Sequence, residues 1–98
     1  MRNYEVMTIH RPDIVEDDVR LKVKEIEALL QARGAEVTNS DFWGKRRFAY
    51  EINHIREGYY SVVQFALEDP AGALDDLDRA LALSDAVVRH KVVRRGNS

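Results

Sequence analysis

Apolar and polar residues alternate with a period of two in four segments of the chain, and this pattern predicts four β-strands. The alternation is clearest from Tyr59 to Leu67, a segment with apolar side chains on both faces. The second segment is the longest, and we expect a bulge near Trp43 and Gly44, because a glycine inside a strand often marks an irregular ladder. A turn at residues 56–58 should join the second and third strands. The predicted strands comprise residues 3–11, 35–52, 59–67 and 87–94.

Two other segments carry apolar residues three and four positions apart, which predicts helices. The first, residues 15–33, opens with acidic residues that suit the positive end of a helix dipole, and Gly34 should end it. In the second helix we expect Asp69 as N-cap and Pro70 as the first helical residue, with the end at 84–85. The predicted buried positions are Val19, Val23, Ile26 and Leu30 in the first helix, and Leu74, Leu77 and Leu81 in the second.

The order of these elements, β-α-β-β-α-β, determines the expected fold class. Two right-handed βαβ crossovers place both helices on one face of a single four-stranded antiparallel sheet. We therefore expect an α+β domain with the ferredoxin-like, split βαβ fold. The length suits one domain, which should span residues 1–95 and leave a flexible tail at 96–98.

The sheet face opposite the helices has no layer to cover it, and we call it the open face. Strand alternation assigns nine residues to this face. Four of them are polar, namely Glu5, Gln64, Arg89 and Lys91, and the other five are apolar. Such an apolar fraction exceeds what a solvated surface needs, and exposed apolar patches usually mark a binding partner. The residues predicted to contact a protein partner are Met7, Ile9, Tyr60, Val62 and Val93.

The composition excludes several classes of protein. Of the 98 residues, 45% are hydrophobic and 33% are charged, as in soluble globular proteins. No apolar run approaches the roughly 18 residues of a membrane span. The sequence contains no cysteine, which excludes disulfides and thiolate metal sites. The first residues have no apolar segment typical of a signal peptide, so we expect a cytoplasmic protein without membrane contact.

Charge is distributed unevenly although the net charge is only −2. Residues 68–85 contain six acids and one base, whereas residues 86–98 contain four bases and no acid. Residues 45–47 form a second basic run. A phosphate backbone responds to the local field, so a dipolar surface of this kind permits nucleic-acid binding despite the negative total. Ordinary solvated surface charge is the simpler interpretation of the same pattern.

The residue types that commonly catalyse reactions or bind metals are scattered along the sequence and form no motif. The three histidines lie on different predicted elements, with no carboxylate at ligand spacing, and no glycine-rich loop precedes a helix. We therefore expect no enzymatic activity, no metal and no cofactor. The central strands should be the first and third, and on the open face they present a single aromatic residue, Tyr60. Base stacking across the sheet is thus not expected, and RNA would be contacted through phosphate and sugar.

Residues 44–53, with the sequence GKRRFAYEIN, resemble the signature of the bacterial small-subunit ribosomal protein six family. Residues 1–5, 58–60 and 85–89 resemble the same family in the corresponding order, so the resemblance covers essentially the whole chain. Two positions depart from the family pattern: Phe48 stands where leucine is commoner, and Glu51 stands where proline is frequent. The second change removes a proline, whose backbone is rigid, and adds an acid beside the basic run. The loss of the proline affects the expected geometry of the strand at this point.

The resemblance implies a protein of the small ribosomal subunit that binds the central domain of the small-subunit ribosomal RNA. It also implies a heterodimer with small-subunit ribosomal protein eighteen, and a monomer when the protein is isolated. By position, the RNA contacts of the family correspond to Arg2, Lys45, Arg46, Arg47, Arg89 and Arg94, and the chemistry of Lys91 adds it to the set.

Two alternatives remain open at this point. Arg46 or Arg47 could pair with Asp41 or Glu51 instead of binding phosphate. A regulatory or ligand-binding module that dimerises through its open face would have the same fold and would predict a discrete pocket.

Overall fold

Four strands and two helices follow one another in the predicted order, and they form the predicted α+β, ferredoxin-like fold. The computed structural model describes residues 1–52 and 54–96. Neighbouring strands are antiparallel, in the spatial order β2-β3-β1-β4, so β1 and β3 are the central pair. The elements are β1 (Arg2–His10), α1 (Glu16–Ala32), β2 (Glu36–Ile52), β3 (Ile55–Leu67), α2 (Ala73–Leu83) and β4 (Val87–Arg94).

Helix α1 agrees closely with its sequence pattern. The four predicted seam residues, Val19, Val23, Ile26 and Leu30, are all buried. At the carboxyl end Gly34 has φ +87°, and the N–H of Ala35 donates to the carbonyl of Leu30 at 2.9 Å. This is the hydrogen bond of a glycine-terminated helix, in which the left-handed residue turns the chain out of the helix axis. The seam packs on the helix-facing side of β1 and β3, where Tyr4 and Phe65 stack with ring centroids 5.7 Å apart.

Helix α2 begins later than predicted. Gly72 has φ +83°, which a helical residue does not adopt, so the helix starts at Ala73 and not at Pro70. The Asp69 side chain accepts a hydrogen bond from the N–H of Ala71 at 3.1 Å, and it therefore stabilises a turn instead of capping the helix. The shifted start also changes the buried face. Ala73, Leu77 and Leu81 are buried, whereas the predicted core residue Leu74 is only partly buried.

The β2–β3 hairpin is longer than predicted. Ile52 pairs with Ile55, so the two strands extend further than predicted and the turn does not lie at residues 56–58. Gly58 lies inside β3, where a Cβ atom would meet the carbonyl oxygen of His10 at 2.7 Å. This glycine is needed for close packing of two strands and not for a turn. The predicted bulge is confirmed, because the register shifts between Phe42 and Gly44.

The end of the chain is tied to the sheet as far as Arg95, whose N–H donates to the carbonyl of Asn3 at 2.8 Å. Of the predicted flexible tail, Asn97 and Ser98 lie outside the described residues. Within the described residues, neither helix has the length and apolar composition needed to cross a membrane.

Candidate nucleic-acid and partner interface

The open face brings the five predicted partner-contacting residues together. Met7 pairs with Val62 on one side of β1, Ile9 pairs with Tyr60, and Glu5 pairs with Val93 on the other side. Because β1 and β3 are the central strands, the apolar residues form one continuous area across the middle of the sheet. The register therefore supports the assignment of these side chains to one face.

Two of the five are not exposed in the free chain, which corrects the expectation of an uncovered apolar surface. Ile9 and Val62 are only 4% and 7% exposed. Val62 lies between β1 and β2, opposite Met7 and Asp41, so the side chains of both neighbouring strands cover it. Ile9 lies beside Gly58, where the ring of Phe48 also approaches from the hairpin. Met7, Tyr60 and Val93 are half-buried and remain available to a partner.

Two aromatic residues that the sequence analysis missed extend this apolar area. Trp43 is 48% exposed and stacks on Tyr60, with ring centroids 6.1 Å apart and planes at 8°. Phe48 packs edge-on against Tyr60 with centroids 5.9 Å apart. The register of β2 also shifts between Val37 and Asn39, so a two-residue period counted from the core-facing Val37 places Trp43 on the wrong face. We call Trp43, Phe48 and Tyr60 the aromatic shelf.

The seven predicted RNA-contacting residues are all exposed. Within residues 1–52 and 54–96 none of them forms an ion pair with an acid at 4.0 Å or less. Most cations in or next to the helices, by contrast, form ion pairs. Arg20, Lys22, Arg33 and Arg79 each lie within 3.8 Å of a helical carboxylate. The seven strand cations are therefore unpaired, whereas Lys24 is the one helical cation without such a partner in the described part of the chain.

The alternative pairing of the basic run is not observed. Glu51 accepts a hydrogen bond from Arg56 at 3.1 Å across the hairpin, and Asp41 accepts one from Asn39 at 3.3 Å. Neither acid pairs with Arg46 or Arg47. Glu51, the residue that departs from the family pattern, thus pairs with a cation of β3 and leaves the basic run free.

The seven cations do not form one patch. Arg46 lines a depression of the open face with Trp43 and Tyr60, and Arg89 and Lys91 share that face on β4. Lys45 lies on the other side of β2, with its Nζ 5.2 Å from the ring centroid of Tyr59.

Of the remaining three cations, Arg47 pairs in register with Glu57 in the hairpin and lines a depression together with Arg89 and Tyr60. Arg2 and Arg94 lie at the opposite end of the sheet, on the side of Tyr4. Consecutive strand residues point to opposite faces, so a basic run in a strand is divided between the two sides.

Arg95 is a further cation of the open face that the sequence analysis did not include. Its Nη1 donates to the side-chain oxygen of Gln64 at 3.1 Å, and Gln64 in turn donates to Glu5 at 3.3 Å. The signal available in the sequence was its place in the acid-free basic segment after residue 86.

The histidines do not gather into a site. His90 donates from Nε2 to Asp78 at 2.7 Å and so joins β4 to α2. His10 is fully buried, and desolvation, with the nearby charge of Lys22, lowers its pKa from 6.5 to about 4. Among the described residues no three side chains of the metal-binding types come together.

Comparison with known proteins identifies relatives along the whole chain. The family described as "Ribosomal protein S6" matches residues 3–94. Small ribosomal subunit protein bS6 of Desulforamulus reducens is 47% identical over 96 residues, which cover 98% of this chain and 99% of that protein. The protein of the same name from Carboxydothermus hydrogenoformans is 45% identical over 94 residues, and these cover 96% of each chain.

Solved structures agree with the fold. The crystal structure of 30S ribosomal protein S6 from Thermotoga maritima superposes with a TM-score of 0.90 at 27% identity, covering 96% of this chain and 87% of that one. The C-terminal domain of the MgtC protein from Mycobacterium tuberculosis superposes with a TM-score of 0.65 at 12% identity, covering 97% and 88%. The second similarity concerns the fold alone.

Proposed function

Because this chain belongs to the ribosomal protein S6 family, we propose that it binds the central domain of the small-subunit ribosomal RNA together with small-subunit ribosomal protein eighteen. Its place is then the small ribosomal subunit in the cytoplasm, and its contribution to translation is structural. As a member of a family of structural ribosomal proteins, it is not an enzyme.

The observation that carries the RNA part of the proposal is the set of exposed sheet cations without an ion-pair partner. A cation that already pairs with a carboxylate must give up that partner before it neutralises a phosphate. The seven strand cations proposed to contact RNA have no such partner among the described residues, whereas most helical cations have one. The sheet is therefore the side from which an RNA backbone meets positive potential, although the net charge of the chain is −2.

The arrangement of the open face supports separate positions for the two partners. Its middle is apolar, with half-buried Met7 and Tyr60, and the aromatic shelf continues it towards β2. Its margins carry Arg46 on one edge strand and Arg89 on the other. Protein interfaces have apolar centres and polar margins. We assign the centre to the protein partner and the margins to RNA phosphates.

Replacing Arg46 and Arg47 together by alanine should weaken RNA binding and reduce its salt dependence. Each phosphate contact contributes about 0.7–0.9 to the slope of log affinity against log salt concentration. The double variant should therefore lose about one to two in slope and roughly tenfold or more in affinity at about 0.1 M salt. Filter binding of the heterodimer to the central-domain RNA at several salt concentrations measures both quantities.

The matched control removes the same charge from the helices. Lys24 and Arg79 are exposed cations of α1 and α2, and the variant Lys24→Ala, Arg79→Ala should keep both the affinity and the slope of the wild type. If the Arg46, Arg47 variant also keeps both, the basic run does not contact RNA and this part of the proposal is wrong.

Replacing Met7 by glutamate should weaken the heterodimer by at least about tenfold. In the free protein the new carboxylate lies opposite Lys91 and stays hydrated at the surface, so the fold should be retained. In the complex the carboxylate would lose its hydration at the centre of the interface, where an imperfectly paired charge is costly. Calorimetric titration with purified small-subunit ribosomal protein eighteen measures the change.

Leu83→Glu is the control for the partner face. Leu83 is 76% exposed on α2, so the same charge is introduced in the opposite layer. This variant should bind the partner as the wild type does. A folded Met7→Glu protein with wild-type affinity would remove the open face from the interface.

A further inference from the structure

Strand β2 has a second, larger irregularity near its end. Four of its residues, 48–51, lie opposite Arg56 of β3 alone. The flanking ladder pairs are Arg47 with Glu57 and Ile52 with Ile55. Extra residues in one strand change the direction of side chains, and they are common beside binding sites. This bulge contains Tyr50, which is 84% exposed and forms no ring stack with an aromatic residue in the described part of the chain. The fold therefore does not use this ring for packing.

The bulge borders a depression of about 320 Å³, which we call the hairpin pocket. Small-molecule sites have volumes of roughly 300–1,000 Å³, so the hairpin pocket has room for one small group and not for a duplex. Its lining comes from β2, β3 and β4, which are distant in sequence. The lining residues are Arg47, Phe48, Ala49, Tyr50, Glu51, Ile52, Tyr60 and Arg89.

Two arginines give the hairpin pocket its positive charge. Arg47 of β2 and Arg89 of β4 are both exposed, and neither forms an ion pair at 4.0 Å or less among the described residues. Glu51 is an acid of the lining, and it pairs with Arg56 at 3.1 Å. Because a cation outside the lining neutralises this carboxylate, both guanidinium groups stay available to an anion.

We propose that the hairpin pocket binds one unpaired nucleotide of RNA, with its phosphate between Arg47 and Arg89 and its base stacked on the ring of Tyr50. The proposal rests on the proposed function, because it specifies which feature of the RNA this margin of the open face recognises. A base inside a duplex is stacked on its neighbours, so only a nucleotide outside a duplex can present its base to a protein ring. The stacking ring comes from the hairpin and not from the central strands.

The chemistry of the lining favours a nucleotide over a segment of a protein partner. A nucleotide combines an anionic phosphate and a flat ring in one unit, and the hairpin pocket offers two guanidinium groups and an exposed aromatic residue around one volume. The planar guanidinium fork matches the geometry of phosphate oxygens. Aromatic side chains stack on any base, since every base has a π-face.

The first experiment is an NMR titration of the isolated full-length chain with a single-stranded RNA of four adenylates. The ring resonances of Tyr50 should shift in a saturable manner. Adenosine lacks the phosphate and inorganic phosphate lacks the base, so each should bind at least about fivefold more weakly than the tetranucleotide. This experiment requires neither the ribosomal RNA nor the protein partner.

The second experiment is filter binding of the heterodimer to the central-domain RNA at several salt concentrations. Tyr50→Ala should lower the affinity at least about fivefold and leave the salt slope unchanged, because stacking releases no counterions. Tyr50→Phe keeps the ring and should bind as the wild type does. Arg89→Ala, by contrast, should lower the affinity and reduce the slope by about 0.7–0.9.

Leu83→Ala is the matched control for the exposed ring. Leu83 is 76% exposed on α2, so this variant removes an exposed apolar side chain from the opposite layer and should bind RNA as the wild type does. Circular dichroism confirms that the variants are folded. If Tyr50→Ala does not fold, the titration of the wild type decides the question.

Four results would overturn the proposal. The first is the absence of a saturable shift of Tyr50 on addition of the tetranucleotide. The second is wild-type RNA affinity in folded Tyr50→Ala. The third is Tyr50→Phe binding as weakly as Tyr50→Ala, which would exclude stacking. The fourth is a Tyr50→Ala protein that loses affinity for small-subunit ribosomal protein eighteen and not for the tetranucleotide, which would assign the hairpin pocket to the protein partner.

Failure of the proposed function has a different signature. A wild-type heterodimer that does not bind the central-domain RNA would contradict the proposed function. The tetranucleotide titration would then still decide whether the hairpin pocket holds a nucleotide.

Discussion

Replacing Leu30 by alanine should lower the free energy of unfolding by about 2–5 kcal/mol. Leu30 is 1% exposed and packs against β1, β3 and α2 in the centre of the core. The substitution removes apolar contacts and leaves a cavity that the surrounding side chains fill only in part. The loss is a large share of the roughly 5–15 kcal/mol that stabilises a typical domain. Urea denaturation followed by circular dichroism measures it.

Leu21→Ala is the control for this prediction. Leu21 belongs to the same helix and undergoes the same change of helix propensity, but its side chain is 59% exposed. Its variant should remain within about 0.5 kcal/mol of the wild type. A Leu30→Ala protein as stable as the Leu21→Ala protein would contradict the packing of α1 on the sheet.

The free energy of unfolding should decrease by roughly 3 kcal/mol between pH 7 and pH 4 through His10 alone, since one pKa unit corresponds to about 1.4 kcal/mol. The pKa of this imidazole is lowered from 6.5 to about 4 in the folded chain, first by burial and then by Lys22. Above pH 6.5 the ring is neutral in both states and has no effect. Below pH 6.5 the unfolded chain binds a proton that the folded chain excludes, so the stability is lost as the pH falls from 6.5 to about 4.

The difference in the free energy of unfolding between the wild type and His10→Gln, measured at each pH, separates the effect of His10 from the titration of carboxylates. Glutamine keeps a polar group near the Thr8 hydroxyl but does not titrate, so the variant should have a flatter dependence of stability on pH. Lys22 and Glu25 of α1 are the charged residues that line a cavity beside His10. Lys22→Gln removes the positive neighbour and should raise the pKa of His10 in an NMR titration. Identical pH profiles for the wild type and His10→Gln would show that His10 does not set the acid limit of stability.

The candidate site was predictable in its residue types and less so in its geometry. Alternation assigned Met7 and Tyr60 correctly to the open face, and the basic run was visible by inspection. Burial of Ile9 was not predictable, because it depends on a hairpin distant in sequence. The position of Trp43 depends on the register shifts of β2, whose exact places no local pattern specifies. The pairing of Glu51 was not predictable either, because its partner Arg56 lies across the hairpin on β3.

The sequence by itself determined the order of the elements, the buried seam of α1, the bounds of β4 and the family. These properties are local, because periodicity, a terminating glycine and a continuous motif are read from neighbouring residues. The tertiary structure alone decided which open-face residues are covered, on which side each cation lies, and that Nδ1 of His10 is buried without a hydrogen-bond partner among the described residues. Burial and pairing depend on side chains from distant segments, and their positions follow from strand register and helix packing.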